Sequence, residues 1–272
     1  MKDFITNNSN KISDGLKKNN SLLNNKFLTF ISFILILIIW KIVSIIISSS
    51  ILLPSPEVTF LAFLKLIKTK FFYLTILSSL YRGIIGFLIS FLFGLIFGFL
   101  AGFNKKFFTI FEPILIIIRT TPVIAVILIA LIWFKAGNVP IFASFLMSFP
   151  IICTNIIEGI KNIDLKIIQM AKIYEIKKSR IFFEIYLPSL APFITSAVST
   201  AFGIGWKVII ASEVLSQPRY AIGTSLQTSK IYLNIDEVFA WTFIAVFFGY
   251  IFEKIIRFIE FKTIKWKKLK NA

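Results

Sequence analysis

The sequence contains no histidine, one cysteine and only 13 acidic residues among 272 positions. The absence of histidine excludes the usual histidine-based triads, metal sites and proton relays. The lone Cys153 lies in an apolar run, which is typical of a buried structural thiol. No G-x-x-x-x-G-K-[ST] phosphate loop occurs, so the chain has no recognisable site for hydrolysing ATP. We therefore expect no catalytic residue, no metal site and no cofactor.

Charge is also scarce in long stretches of the chain. Hydrophobic residues make up 57% of the sequence, charged residues 16%, and the mean hydropathy is +0.86. Soluble domains carry about a quarter charged residues. We predict an all-α membrane protein, because each apolar run approaches the roughly 20 residues that a helix needs to cross a bilayer. The six predicted transmembrane helices are 27–48, 77–103, 108–134, 140–158, 189–212 and 237–257.

The basic residues lie unevenly between these spans. The formal net charge is +17, and 20 of the 30 Lys and Arg fall in segments 1–26, 104–107, 159–188 and 254–272. Only six fall in the alternate segments. Basic residues collect in cytoplasmic loops, so we place both termini in the cytoplasm and expect no nucleic-acid partner.

The predicted domain organisation follows from this orientation. Residues 1–26 form a cytoplasmic N-terminal tail and residues 27–257 form one six-helix domain. That domain contains a cytoplasmic loop at 159–188, and residues 258–272 form a basic cytoplasmic C-terminal tail.

Two predicted spans carry a small or polar residue at every fourth position, which forms one ridge on a helix. Small residues permit the close helix contacts that drive association in lipid. The second span predicts such a contact, either within the chain or across a dimer. The fifth span ends in a charge and could instead face a wet cavity. The two strips are Gly86, Ser90, Gly94, Gly98 and Gly102, and Thr195, Ser199, Gly203, Lys207 and Ala211.

Three of the ionisable residues in or beside the spans are candidates for a functional role. Arg119 is followed by Thr-Thr-Pro122, and a proline inside a helix removes a backbone hydrogen bond. The combination predicts a locally broken helix that faces protein or water. Lys207 and Glu213 lie towards one end of the fifth span, where Glu213 could pair with Arg82. These groups form either a pathway for an anionic or polar solute or an orienting ion pair. The candidate pathway residues are Arg119, Thr121, Ser199, Lys207 and Glu213.

The loop 159–188 contains a short apolar stripe with helical spacing, surrounded by basic residues. The stripe consists of Ile167, Met170, Ala171, Tyr174 and Ile176. Such a helix could lie in the groove of a partner protein or rest on anionic lipid. The sequence pattern favours neither.

Segments Gln169-Met-Ala171, Glu175 and Leu187-Pro188 resemble the E-A-A-x-x-x-G-x(n)-L-P loop of binding-protein-dependent ABC transporter permeases. The resemblance is to the nitrate, sulfonate and taurine group, and it covers nearly all of the chain beyond the N-terminal tail. The other segments that fit this group are Leu53-Pro-Ser-Pro, Arg119-Thr-Thr-Pro, Gly159-Ile-Lys-Asn-Ile-Asp and Ala211-Ser-Glu-Val-Leu.

The resemblance implies a type I ABC importer permease whose loop forms a coupling helix that docks on an ATPase subunit. Gln169 replaces the acidic residue of the motif and Glu175 replaces its glycine. Glycine tolerates positive φ, so we expect the glutamate to strain or reshape the turn. The candidate coupling residues are Gln169, Met170, Ala171, Tyr174, Glu175, Leu187 and Pro188.

The implied partners are two copies of an ABC ATPase, an extracytoplasmic solute-binding protein, and a second permease copy that makes a homodimer in membrane lipid. The implied location is the bacterial cytoplasmic (inner) membrane, crossed several times. A sulfonate, nitrate or other oxyanion would suit Arg119 and Lys207. The same group of permeases also serves thiamine-precursor-like compounds.

An ion-coupled secondary carrier is the alternative function. Such carriers often use acidic or histidine relays deep in the membrane and are built from inverted repeats. The acids of this chain near the membrane lie close to the ends of the predicted spans, and no repeat is visible. The alternative therefore has less support than the importer.

Overall fold

The computed structural model describes residues 27–28 and 31–268, with side chains described up to Phe258. These residues form helices joined by short turns, and no strand occurs among them. The predicted tail 1–26 lies outside the described residues. The described chain forms two units, one ending at Ala62 and one beginning at Phe63.

The first unit contains α1 (Ile31–Ile47) and the start of α2 (Pro56–Ile67). The indole Nε1 of Trp40 donates to the Pro54 carbonyl at 3.1 Å, and the Ser44 hydroxyl donates to the Leu53 carbonyl at 3.0 Å. The L-P-S-P segment is thus held against α1 by its own carbonyls. Lys41 pairs with Glu57 at 2.8 Å, and this hydrogen bond lowers the pKa of the Glu57 carboxyl to about 2.

Four helices of the second unit are long and apolar enough to cross a membrane. The candidate spans are Lys70–Phe103, Val139–Lys161, Lys178–Ser216 and Ile235–Phe258. A bent helix pair makes a fifth candidate. The described stretch of α1 has 17 residues, fewer than the roughly 20 that a crossing takes. Four or five spans are therefore evident in the described residues, where the sequence predicted six.

Helix α6 (Val139–Lys161) lies between α3 (Lys70–Phe103) and α9 (Leu187–Ser216) and contributes much of the core. The small-residue strip of α3 faces α6 within this chain. A methyl group on Gly98 would lie 2.9 Å from Cβ of Ile156, and one on Gly94 would lie 2.7 Å from Cγ2 of Ile152. Lipid supplies no hydrophobic drive for this contact, so the close approach itself provides the packing energy. The structure thus places this helix contact within one chain, whereas the sequence left open whether it lies within the chain or across a dimer.

Helix α9 also packs on α6 through small residues. A methyl group on Gly205 would lie 2.7 Å from the Ser148 hydroxyl, which itself donates to the Ala201 carbonyl at 2.9 Å. On another side, the Trp206 indole donates to the carbonyl of Ala245 at 2.9 Å and thereby joins α9 to α11 (Ile235–Lys268). Helix α11 continues well past the predicted span end at residue 257.

The predicted third span is two helices, α4 (Lys105–Thr120) and α5 (Val123–Trp133), bent by 98°. Thr121 and Pro122 between them have extended backbone, because proline disfavours helical conformation in the residue before it. The predicted helix break is therefore confirmed. The predicted span 108–134 is therefore a bent pair of helices, and this pair is the fifth candidate crossing.

Four short elements complete the chain. Helices α7 (Leu165–Ile173) and α8 (Lys178–Ile181) and a π-helical turn (Phe182–Tyr186) precede α9. Helix α10 (Ile222–Ile231) follows it. The apolar stripe in the loop 159–188 predicted a helix where α7 lies, whereas no helix was predicted over 222–231, where α10 lies.

Candidate functional site

Helix α7 is a compact helix with defined ends. Asp164 caps its first turn, since the carboxylate accepts a hydrogen bond from the Lys166 amide at 2.8 Å. At the other end the Ile176 amide donates to the Ala171 carbonyl at 3.0 Å, and the Glu175 amide donates to the Lys172 carbonyl at 3.0 Å. This pair of bonds is a Schellman motif, which satisfies the carbonyls of the last turn.

Glu175 takes the left-handed conformation that this motif requires, with φ of 53°. The position is the one where glycine is favoured, because a Cβ in the left-handed region meets the following carbonyl. The turn therefore keeps the shape that the glycine motif implies, and the strain falls on Glu175. The expected reshaping of the turn does not occur.

The two faces of α7 have different surroundings. Ile168 and Ala171 are buried and Ile168 joins the main core cluster. On the other side Met170, Ile173 and Tyr174 are 54%, 79% and 75% exposed. The helix thus presents an apolar face that the described chain leaves uncovered. The apolar stripe predicted from the sequence is therefore divided, with Ala171 on the buried face and Met170 and Tyr174 on the exposed face.

Ile173, the most exposed apolar side chain of α7, was not part of the predicted stripe. The spacing of residues 170, 173 and 174 places them on one helix face and could have indicated it. Gln169 is also exposed. Leu187 and Pro188 lie in the first turn of α9, directly after the π-helical turn.

The polar strip of α9 lies in open surroundings. A methyl group on Gly203 would meet no atom within 4 Å, and Thr200 and Lys207 are exposed. Ser199 is half-buried. Among the ion pairs and hydrogen bonds of the described residues, none involves the Lys207 ammonium. The strip therefore differs from its counterpart on α3, which is covered by α6.

Arg119 and Thr121 lie at the bend between α4 and α5. The Thr121 hydroxyl donates to the Ile117 carbonyl at 2.7 Å and thus helps to end α4. Arg119 is exposed and joins no ion pair of the described residues. Helix α5 packs in a cluster with Val208, the neighbour of Lys207 in α9.

Glu213 is enclosed by the chain, with 0% exposure. Its carboxylate accepts from the Arg82 guanidinium at 2.9 Å and from the Ser79 hydroxyl at 2.8 Å. The predicted pairing with Arg82 is therefore present in the structure. This is the geometry of an orienting ion pair, and a place for Glu213 in a pathway stays a prediction.

Comparison with known proteins identifies the family. Residues 90–265 match the profile of the binding-protein-dependent transport system inner membrane component. The chain belongs to this family. The predicted membership of the nitrate, sulfonate and taurine group is confirmed.

Two relatives and one solved structure illustrate the similarity. A putative aliphatic sulfonates transport permease of Bacillus subtilis (strain 168) is 28% identical over 85% of this chain and 84% of its own length. The Escherichia coli (strain K12) protein of the same description is 30% identical over 79% of this chain and 82% of its own length. The fold matches a chain of the MetNI methionine ABC transporter in an inward-facing conformation. The TM-score is 0.60 at 15% identity, over 70% of this chain and 96% of that chain.

Family membership determines the general role. The chain is a multi-pass inner-membrane permease component of a binding-protein-dependent ABC importer. ATP hydrolysis belongs to a separate ATPase subunit. This ATPase and a solute-binding protein are the partners of the permease. An ion-coupled secondary carrier does not fit this family.

Proposed function

We propose that this permease forms a homodimer in which each copy receives ATP-driven motion through α7 and passes a small oxyanion along the open face of α9. The uncovered apolar face of Met170, Ile173 and Tyr174 is the observation that carries the proposal. Apolar side chains at this spacing on one helix are the anchors of helix-in-groove recognition. The part of the chain that the structure describes has one such helix in a loop between candidate spans, so two ATPase subunits would require two permeases.

The geometry of α7 suits the transmission of force. Its inward face is anchored in the core by Ile168 and Ala171, and both of its ends are capped. A helix that is fixed on one side and free on the other passes displacement to α6 and α9 with little local unfolding. Leu187 and Pro188 then form the junction with α9.

The proposed orientation follows from α9. Helices α7 and α10 flank this candidate span on its two sides in sequence, so a single crossing by α9 puts them on opposite sides of the membrane. The excess of basic residues in 159–188 supports a cytoplasmic α7. We propose six crossings with both termini inside, with α1 as the first. The segment from Gln217 to Ile231 would then meet the binding protein or form the outer gate.

The proposed solute class is supported by two cations without partners in the described residues, Arg119 and Lys207. A cation inside a span is costly unless it faces water, a partner or a ligand. An anionic solute would supply that partner. The relatives described as aliphatic sulfonates permeases make a sulfonate the first solute to test.

The decisive experiment co-expresses the permease with its ATPase subunit and measures co-purification. We expect Met170→Ala with Tyr174→Ala to abolish it, since anchors of this kind dominate binding energy. Tyr232→Ala is the matched control, because Tyr232 is 72% exposed and lies beyond α10, on the proposed opposite side. Equal loss of the ATPase in both variants, or in neither, would reject the proposed docking face.

A further inference from the structure

The α9–α10 turn contains a buried polar cluster that family membership does not explain. Helix α9 ends at Ser216 with Gln217 in the left-handed conformation, and Pro218 prevents its continuation. Helix α10 then begins at Ile222, after Ala221, which provides no side-chain cap. The first amides of a helix need hydrogen-bond acceptors, and a buried helix start without them is costly.

The acceptors come from other helices. The Gly223 amide donates to Oε2 of Glu213 at 3.1 Å, and the Ile222 amide donates to the Ser79 hydroxyl at 2.9 Å. The Ser79 hydroxyl in turn donates to both carboxylate oxygens of Glu213, at 2.8 and 2.9 Å. Glu213 and Ser79 together therefore replace the missing cap residue. The helix start also favours a negative charge there.

Arg82 completes the cluster from α3. Its Nη1 donates to Glu213 at 2.9 Å and to the Tyr220 carbonyl at 2.9 Å, so one guanidinium contacts both the carboxylate and the turn. Its side chain is 11% exposed and that of Glu213 is fully buried. Every hydrogen bond of the buried carboxylate is thus made by α3 or by the start of α10.

Gly223 makes this arrangement possible. A methyl group there would clash with the carbonyl of Ile210 and lie 2.5 Å from Cβ of Glu213 and 2.6 Å from the Val214 amide. The start of α10 therefore rests directly on the α9 backbone. Only a residue without a side chain allows its amide to reach the carboxylate.

We infer that Glu213 is a positioning residue that caps α10 from the neighbouring helix and holds the segment Gln217–Ile231 on α3 and α9, so that these three helices move as one body. The inference deepens the proposed function, because that segment is the proposed outer contact. It differs from a simple ion pair in one respect. The oxygen that accepts from Gly223 matters more than the charge that meets Arg82.

Thiol labelling tests this difference. Ser225 lies in α10 and is 6% exposed, so Ser225→Cys reports release of α10. Native Cys153, which is 0% exposed in α6, reports global unfolding in the same molecule. Thr228→Cys, at an exposed position of α10, serves as the control that labels throughout.

Four changes at the cluster separate cap from charge. Glu213→Gln keeps an acceptor oxygen for the Gly223 amide, and Arg82 keeps the Tyr220 carbonyl and its partial exposure, so labelling should stay closer to that of the parent than to that of Glu213→Leu. Arg82→Met leaves a buried charge without its partner, and Glu213→Leu removes the acceptor. Both should speed Ser225→Cys labelling about tenfold or more, with Cys153 still protected. Arg82→Met combined with Glu213→Gln should return towards the rate of Glu213→Gln alone.

Two results would overturn the inference. One is labelling of Glu213→Gln as fast as that of Glu213→Leu, which would mean that the acceptor oxygen is unimportant. The other is a double variant no better than Arg82→Met. Uptake in the same variants separates the two proposals. If labelling follows the expected order and uptake remains at the parent level in every variant, the cap stands and the proposed role of the segment in solute entry fails.

Discussion

Small or polar residues recur at every fourth position on both α3 and α9, yet the two strips have different surroundings. Gly94 and Gly98 on α3 lie against isoleucines of α6 so closely that a single methyl group would collide. Gly203 on α9 faces open space, and Lys207 on the same strip is exposed. One spacing thus serves helix packing in one place and an uncovered polar surface in the other.

The largest expected contrast is in thiol accessibility. Thr200→Cys places a thiol at an exposed position beside the α9 strip, while native Cys153 lies beneath the α3 strip with 0% exposure. A charged, water-soluble thiosulfonate should label the introduced thiol at least about a hundredfold faster, because the buried one reacts only through rare opening. Mass spectrometry of peptides from one sample measures both rates. Equal rates, or no labelling at position 200 in membranes, would show that the α9 strip does not face water.

The second contrast is in stability. Gly98→Ala should destabilise the protein by about 1–3 kcal/mol, because the added methyl group overpacks the contact with Ile156 and the Cys153 carbonyl. Gly203→Ala is the same chemical change in open space and should be neutral or slightly stabilising, since alanine favours helix. Thermal unfolding in detergent compares the two. A larger loss of stability in Gly203→Ala than in Gly98→Ala would mean that the α9 strip is packed and the α3 strip is open.

The third contrast concerns transport. Lys207→Gln should lower sulfonate uptake about tenfold or more, because a hydrogen bond to a charged group contributes about 1.5–3 kcal/mol. Lys68→Gln removes an exposed cation from the turn between α2 and α3 and should leave uptake unchanged. Uptake into proteoliposomes with the ATPase and binding protein gives both values. An effect of the same size in both variants would indicate a general charge effect and no pathway.

The smallest expected effect concerns positions with left-handed backbone, where glycine is normally favoured. These positions lie outside both strips. Among the described residues no glycine has positive φ, whereas Glu175 and Leu233 do. Glu175→Gly should therefore raise stability by about 1 kcal/mol, the approximate cost of left-handed backbone with a side chain. Glu184→Gly, in the π-helical turn, should lower it instead. Thermal unfolding again provides the measurement, and destabilisation by Glu175→Gly would contradict the observed turn geometry.

Some features followed from local chemistry and could be predicted. Pro122 removes an amide and constrains Thr121, so a break near residue 121 needs no tertiary contact. Long apolar runs also predict spans from local chemistry alone, because a helix that crosses the membrane makes all of its backbone hydrogen bonds within itself. The loop 159–188 similarly predicted α7 through the helical spacing of its apolar residues.

Other features could not be predicted, because their causes lie far away in the chain. Helix α10 is polar and short, and its first amides are satisfied by Ser79 and Glu213. No pattern within 222–231 reveals those acceptors. The sequence likewise left open whether Glu175 would strain its turn or reshape it, and the bonds at the end of α7 decide for the strained, left-handed conformation.

The sequence by itself determined the class of protein, the approximate spans, the break at Pro122 and the helix in the long loop, because each depends on hydrophobicity or backbone constraints within a short stretch. Only the tertiary structure decided which strip is covered, which face of α7 is free, and that Glu213 also contacts Ser79 and Gly223. Burial depends on neighbours that are distant along the chain, and one repeating pattern of small residues is compatible with either a packed or an open surface.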